Sequence, residues 1–214
     1  MERKQQSAPI KSTNFILLKN RIGDWLKGLE GELGKSVVRQ FISTVYLLID
    51  CSSSMAESTK ISQAKDGAIA FSKEAISKGH SVGVIKFDSS ITHISGPVTD
   101  LVRLYQYINS IYPGGTTNMT DAIKLATQKF SSTPSRKVIV IATDGMPNNP
   151  QAALRAADEA KSKGIDIIAI GTDDADKEFL SQVASRSDLV LPVVRDKFAE
   201  GITSAAKLLP QNTR

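Results

Sequence analysis

A chain of 214 residues, 41% of them apolar and 23% charged, is long enough to bury the core of one sizeable domain. The net charge of +5 is modest, and a single cysteine, Cys51, excludes an internal disulfide framework and a cysteine-built zinc site. The apolar runs fall well short of the roughly 20 residues a membrane helix needs, and the opening MERKQQSAPIK leads only into FILL, unlike a secretory signal, so a soluble, cytoplasmic protein is expected.

Residues 1–13 are polar and charged and are expected as a disordered basic tail. Residues 1–40 hold eight Lys or Arg against four acids, a local charge of +4 that leaves only +1 for the rest. A basic arm can meet nucleic acid or an anionic membrane. Without a dense Lys/Arg block or many aromatics, solubility is the simpler explanation, and nucleic acid is not the expected partner. Within 14–33, Phe15, Leu18, Ile22, Trp25 or Leu26, Leu29 and Leu33 fall at three- and four-residue steps, one amphipathic helical stripe. Gly23, Gly28 and Gly31 weaken it as a free helix, so it is expected to lie on a surface, with a linker to residue 40.

After residue 43 a regular alternation begins. The β-branched runs VYLLID (45–50), SVGVIKF (81–87), KVIVIAT (137–143), IDIIAI (165–170) and LVLPVV (189–194) predict buried strands. ITHIS (91–95) predicts an edge strand paired to SVGVIKF through the turn DSS. Helical patterns occupy 59–78, 99–110, 119–131, 151–163, 176–186 and 196–209. Gly79 and Gly164 stand where a left-handed C-cap is wanted, and Pro150 where a missing N–H does no harm. Strands apolar on both faces, alternating with helices, predict an α/β fold: a doubly wound, mainly parallel sheet with one antiparallel edge strand and helices on both faces.

In such a sheet ligands bind beyond the carboxyl ends of the strands. There stand Asp50, Ser52 and Ser54; Thr143, Asp144 and Gly145; and a loop, YPGGTTNMTDA (112–122), with Thr116, Thr117 and Asp121. These are hard oxygen donors, suited to Mg²⁺ or Mn²⁺ rather than zinc or copper. At i, i+2 and i+4 of an extended loop, Asp50, Ser52 and Ser54 can face one side, with Cys51 and Ser53 as spacers. Any one of these loops is explained by helix capping; three together are not.

DCSSSM, GGTTN and IATDGMPNN resemble the three parts of the metal-ion-dependent adhesion site, or MIDAS, of the von Willebrand factor type A family, over about residues 43–209. The resemblance implies a Rossmann-like domain over 41–214. It implies Ser52, Ser54 and Thr117 as hydroxyl ligands, with Thr116 as the fallback, and Asp50 and Asp144 as acidic ligands, direct or through water. It further implies that a partner protein's Asp or Glu carboxylate completes the Mg²⁺ or Mn²⁺ ion. Some stand-alone relatives resemble subunits of larger complexes, beside ring-forming ATPases. The last helix, here 196–209, shifts in related domains.

The rival is a metal-dependent hydrolase or phosphatase. Haloacid-dehalogenase chemistry wants a second carboxylate two residues after its Asp, where this chain has Ser52; a cysteine phosphatase wants an Arg where Glu57 stands. No nucleophile elbow or Walker loop is present. His80 and His93 pair with no other general base. No catalytic residue is assigned. Asp88 and Asp121 are expected to cap turns, and Asp173, Asp174 and Asp176 to serve a helix N-terminus.

Overall fold

The structure, a computed structural model, describes residues 43–130 and 135–211. The expected tail over 1–13 and the amphipathic helix and linker over 14–40 lie outside the described residues.

Six strands form one sheet: β1 (Ser43–Asp50), β2 (Ser81–Phe87), β3 (Ile91–Val98), β4 (Arg136–Thr143), β5 (Ile165–Gly171) and β6 (Val190–Pro192). Their spatial order is β3-β2-β1-β4-β5-β6. All neighbours are parallel except β2 and β3, the expected antiparallel edge. Every residue of β1 is buried, which is why it reads as an unbroken apolar run rather than an alternation.

Among the described residues six α-helices flank them: α1 (Lys60–Ser77), α2 (Leu101–Asn109), α3 (Met119–Lys129), α4 (Pro150–Ser162), α5 (Lys177–Val183) and α6 (Phe198–Ser204). From β1 the chain winds one way through α1 to β2, and from β4 the other way through α4 to β5. Right-handed crossovers therefore put α1 and α4 on opposite faces. Accordingly α1 packs with α2 and α6, and α4 packs with α3 and α5. Asp100, Asn118, Asn149 and Asp176 cap α2, α3, α4 and α5 through their side-chain oxygens. Gly79 and Gly164 follow α1 and α4 at φ of 91° and 72°, the left-handed conformation expected of them.

The expected bounds fail at the edges. β3 runs on through Gly96 and Pro97, and β6 covers only Val190–Pro192. Edge strands tolerate proline and carry weaker pattern signals. The helix expected over 176–186 stops at Val183. Ser185 instead bonds β5, its N–H donating to Ile167 O at 3.0 Å and its hydroxyl accepting from Ile167 N at 2.8 Å. The last helix is a single α segment between 3₁₀ turns at Arg195–Lys197 and Ala205–Lys207.

The buried face of α1 is Lys60, Ala64, Gly67, Ala68, Phe71, Ser72 and Ala75. Its small residues let α6 approach: a Cβ on Gly67 would meet Ala199 Cα and O and Ile202 Cβ, all at 2.9 Å. Gly67→Val should therefore push α6 outward and destabilise by about 1–3 kcal/mol or more, read by urea unfolding. A neutral result would mean that α6 is not seated there.

Candidate metal centre

The strand order reverses between β1 and β4, and the crevice at that point opens beyond Asp50 and Thr143. Asp50 is fully buried. Its Oδ1 accepts from the Ser52 N–H at 2.8 Å and its Oδ2 from the Thr143 hydroxyl at 2.6 Å. Ser52 Oγ lies 3.1 Å from Ser54 Oγ, and Ser54 Oγ donates to Asp144 Oδ1 at 2.8 Å. Asp50, Ser52, Ser54 and Asp144 thus form one hydrogen-bonded run, with Asp50 also tied to Thr143, the chain neighbour of Asp144. The sequence placed Thr143 at the strand end but gave it no role, because a threonine there carries no distinctive signal.

One expectation about the first loop is corrected. Residues Ser53–Ala56 form a 3₁₀ turn rather than an extended loop, so Ser52 and Ser54 meet by chain reversal and not by strand alternation. Asp50, Cys51 and Ser52 are buried, while Ser53 and Ala56 of the turn are exposed. The Cys51 peptide bridges two neighbours, its N–H donating to Phe87 O at 2.8 Å and its carbonyl accepting from Gly114 N at 2.7 Å. Burial pushes the Cys51 thiol up to about 12, consistent with an inert spacer.

The threonine loop is stitched to both other loops. Gly115 O accepts from Ser53 N at 3.0 Å and from Ser53 Oγ at 2.9 Å. Thr117 N donates to Asn148 Oδ1, and Asn148 N to Thr117 O, each at 3.0 Å. The two threonine hydroxyls differ. Thr116 Oγ1 accepts from Asn148 Nδ2 at 2.8 Å and lies 3.3 Å from Ser89 Oγ. Thr117 Oγ1 has no hydrogen bond to a described residue and so remains available.

Burial raises the Asp50 carboxyl to about 6; the Thr143 and Ser52 hydrogen bonds work against that, and the Asp144 charge adds to it. Two buried carboxylates in one crevice call for positive charge. Part of it comes from a residue that sequence reasoning missed. Lys60 Nζ donates to Asp144 Oδ2 at 2.8 Å and lies 3.0 Å from Asp174 Oδ2. A signal did exist: Lys60 stands on the buried stripe of α1, four residues before Ala64.

The remaining acids divide. Asp88 serves its own turn, accepting from Ser90 N at 2.7 Å and pairing with Lys86 at 2.6 Å. Asp121 exchanges hydrogen bonds with Asn118 at the start of α3. Asp176 caps α5, but Asp173 accepts from Arg195 N at 2.9 Å, and Asp174 joins Arg195 to Lys60. The helix-terminus explanation therefore holds for Asp176 alone. His80 is buried and bonded to Ser43 Oγ at 2.8 Å, at the opposite end of the sheet.

Among the described residues no three His, Cys, Asp or Glu side chains are grouped to hold an ion. The crevice offers hydroxyls and two carboxylates, a set that fits a hard divalent cation and does not fit a thiolate- or imidazole-bound metal. Among the described residues no helix is long and apolar enough to cross a membrane.

The family model of the von Willebrand factor type A domain matches residues 44–204. A UPF0353 protein of Mycolicibacterium paratuberculosis is 28% identical over 151 residues, 61% of this chain and 45% of that protein. The chain thus spans under half the length of that curated relative. The vWF domain of the type V pili tip protein Mfa5 from Porphyromonas gingivalis superposes with a TM-score of 0.72 at 15% identity, covering 79% of this chain and 95% of that one. Proximal thread matrix protein 1 from the mussel byssus, with a zinc-occupied MIDAS motif, gives a TM-score of 0.66 at 21% identity over 79% of this chain and 46% of that one. At these identities the structural matches establish the fold.

Proposed function

Because the chain belongs to the von Willebrand factor type A family, we propose that it is a protein-interaction module whose partner binds through a divalent ion held by Asp50, Ser52, Ser54, Thr117 and Asp144. The observation that carries this reading is the hydrogen-bonded run at the topological switch point, Asp50–Ser52–Ser54–Asp144, flanked by an uncommitted Thr117 hydroxyl. Hard, mostly neutral donors favour Mg²⁺ or Mn²⁺; a bound ion would supply a Lewis-acidic anchor for an anionic group. With so little of its charge cancelled, the natural outside ligand is an Asp or Glu carboxylate of a partner protein.

The chain's own residues do the positioning. Thr143 and the Ser52 N–H fix Asp50, the 3₁₀ turn presents Ser54, and Asn148 clamps the Thr117 backbone. A phosphatase reading is disfavoured because Ser52 stands two residues after Asp50, where that chemistry wants a second carboxylate as general acid.

Calorimetric titration with Mn²⁺ and Mg²⁺ tests the proposal. One ion should bind per chain. Thr117→Ala should weaken it by about tenfold or more, while Thr116→Ala should have a smaller effect. The reverse order would transfer the ligand role to Thr116. Metal-dependent turnover of p-nitrophenyl phosphate that disappeared in Asp50→Asn would overturn the non-catalytic reading.

A further inference from the structure

Lys60 is the first residue of α1, a position where the helix dipole disfavours a cation, and no acid in the first turn compensates it. A lysine is nonetheless 2% exposed there, which requires partners. It has three. Asp144 Oδ2 lies at 2.8 Å, Asp174 Oδ2 at 3.0 Å and Glu57 Oε2 at 3.4 Å. Only Asp144 is buried, at 1% side-chain exposure; Asp174 at 38% and Glu57 at 65% are screened by water. Asp174 is itself gripped by Arg195, whose Nη2 lies 2.7 Å from each carboxylate oxygen. The charge of Lys60 is therefore delivered mainly to Asp144. That carboxylate has one oxygen on Ser54 and the other on Lys60.

We propose that Lys60 is a positioning and specificity residue of the metal centre, holding Asp144 away from direct coordination so that a bound ion keeps its attraction for an outside carboxylate. The proposal rests on the metal-site reading above. The charges make the case. Asp50 and Asp144 alone would neutralise a divalent ion. With the Lys60 ammonium hydrogen-bonded to Asp144, these four charges sum to one net positive; Asp174 shares its charge with Arg195, and Glu57 is exposed and screened. Two consequences follow with opposite signs. Lys60 weakens the intrinsic hold on the metal, because like charges repel across a poorly solvated gap. It strengthens the hold of the metal on an incoming anion. A module built to bind a partner gains from the second effect and tolerates the first.

The test uses the full chain with Lys60→Met, Lys60→Gln and Lys60→Arg. Mn²⁺ affinity is read by calorimetry. Acetate binding to the Mn²⁺-loaded protein is read by the fall in water proton relaxation as metal-bound water is displaced. Thermal unfolding in EDTA reads any purely structural contribution. Lys60→Met and Lys60→Gln should bind Mn²⁺ about tenfold or more tightly, and acetate several-fold more weakly, while Lys60→Arg stays near wild type in both. Gln removes the charge while keeping a polar amide donor, so it decides the question if Met prevents folding. A lysine with only a structural role would lower stability in EDTA and leave Mn²⁺ affinity unchanged or weaker; that result overturns the proposal. Failure of the wild-type chain to take up Mn²⁺ would instead overturn the metal-site reading beneath it.

Discussion

Asp50→Asn should abolish divalent-metal uptake and, in the absence of metal, make the protein more stable near pH 7. The two effects come from the same burial. In the metal-free fold the Asp50 carboxyl is raised to about 6, from an ordinary value of 3.8. Its ionised form is therefore less well tolerated in the fold than in the unfolded chain. Its favourable contribution is fully present below about pH 3.8 and is lost as the pH rises through about 6, a change of about 3 kcal/mol. Asparagine keeps the shape and an acceptor for the Ser52 N–H. The Thr143 hydroxyl can turn its proton to Gly145 O, 3.1 Å away, and accept from the new amide. Metal affinity should fall by at least about 100-fold, because the centre loses one of its two charges. Urea unfolding in EDTA at about pH 5 and pH 7.5 reads the stability difference between variant and wild type. Exposed paired acids such as Asp174, whose carboxyl is held low chiefly by Lys60 and Arg195, act alike in both proteins and cancel. A variant less stable than wild type at the higher pH would mean that Asp50 is not disfavoured as an anion.

The sheet was legible because parallel strands buried on both faces read as β-branched runs, and β1, β2, β4 and β5 each appear as such within two residues of their bounds. The extents of the edge strands were not, because β6 is set by three pairings to β5 and by Pro192 rather than by hydrophobic pattern. The candidate ligands were legible as a motif of residue types. Their environment was not. Burial of Asp50 depends on neighbours from β2 and β4, and the 3₁₀ turn at Ser53–Ala56 depends on the Gly115 carbonyl, 62 residues away. Lys60 shows the limit most clearly. Its position on the buried stripe was visible, but a one-dimensional pattern gives no hint that the compensating carboxylate stands 84 residues downstream.

That lysine makes the second acid of the motif behave unlike the first. Asp144→Ala should abolish metal uptake as Asp50→Asn does, yet destabilise the metal-free protein. Lys60 and Asp144 are 2% and 1% exposed, and removing one member of a buried pair leaves the other uncompensated, at about 3–5 kcal/mol. Asp174 remains 3.0 Å from the ammonium, so the loss here should lie near about 2–3 kcal/mol. Adding Lys60→Met to Asp144→Ala should restore much of that stability without restoring metal binding, because the stranded charge is gone while one of the centre's two carboxylates is still missing. The pair should therefore be strongly non-additive, and a double-mutant cycle by urea unfolding in EDTA measures it. Additive losses would show that Lys60 draws its stability from Asp174 and Glu57 and that the contact with Asp144 is incidental. A coupling of a kcal/mol or more would show that this chain neutralises one of its two motif carboxylates from within and leaves the other, Asp50, to be neutralised by the metal.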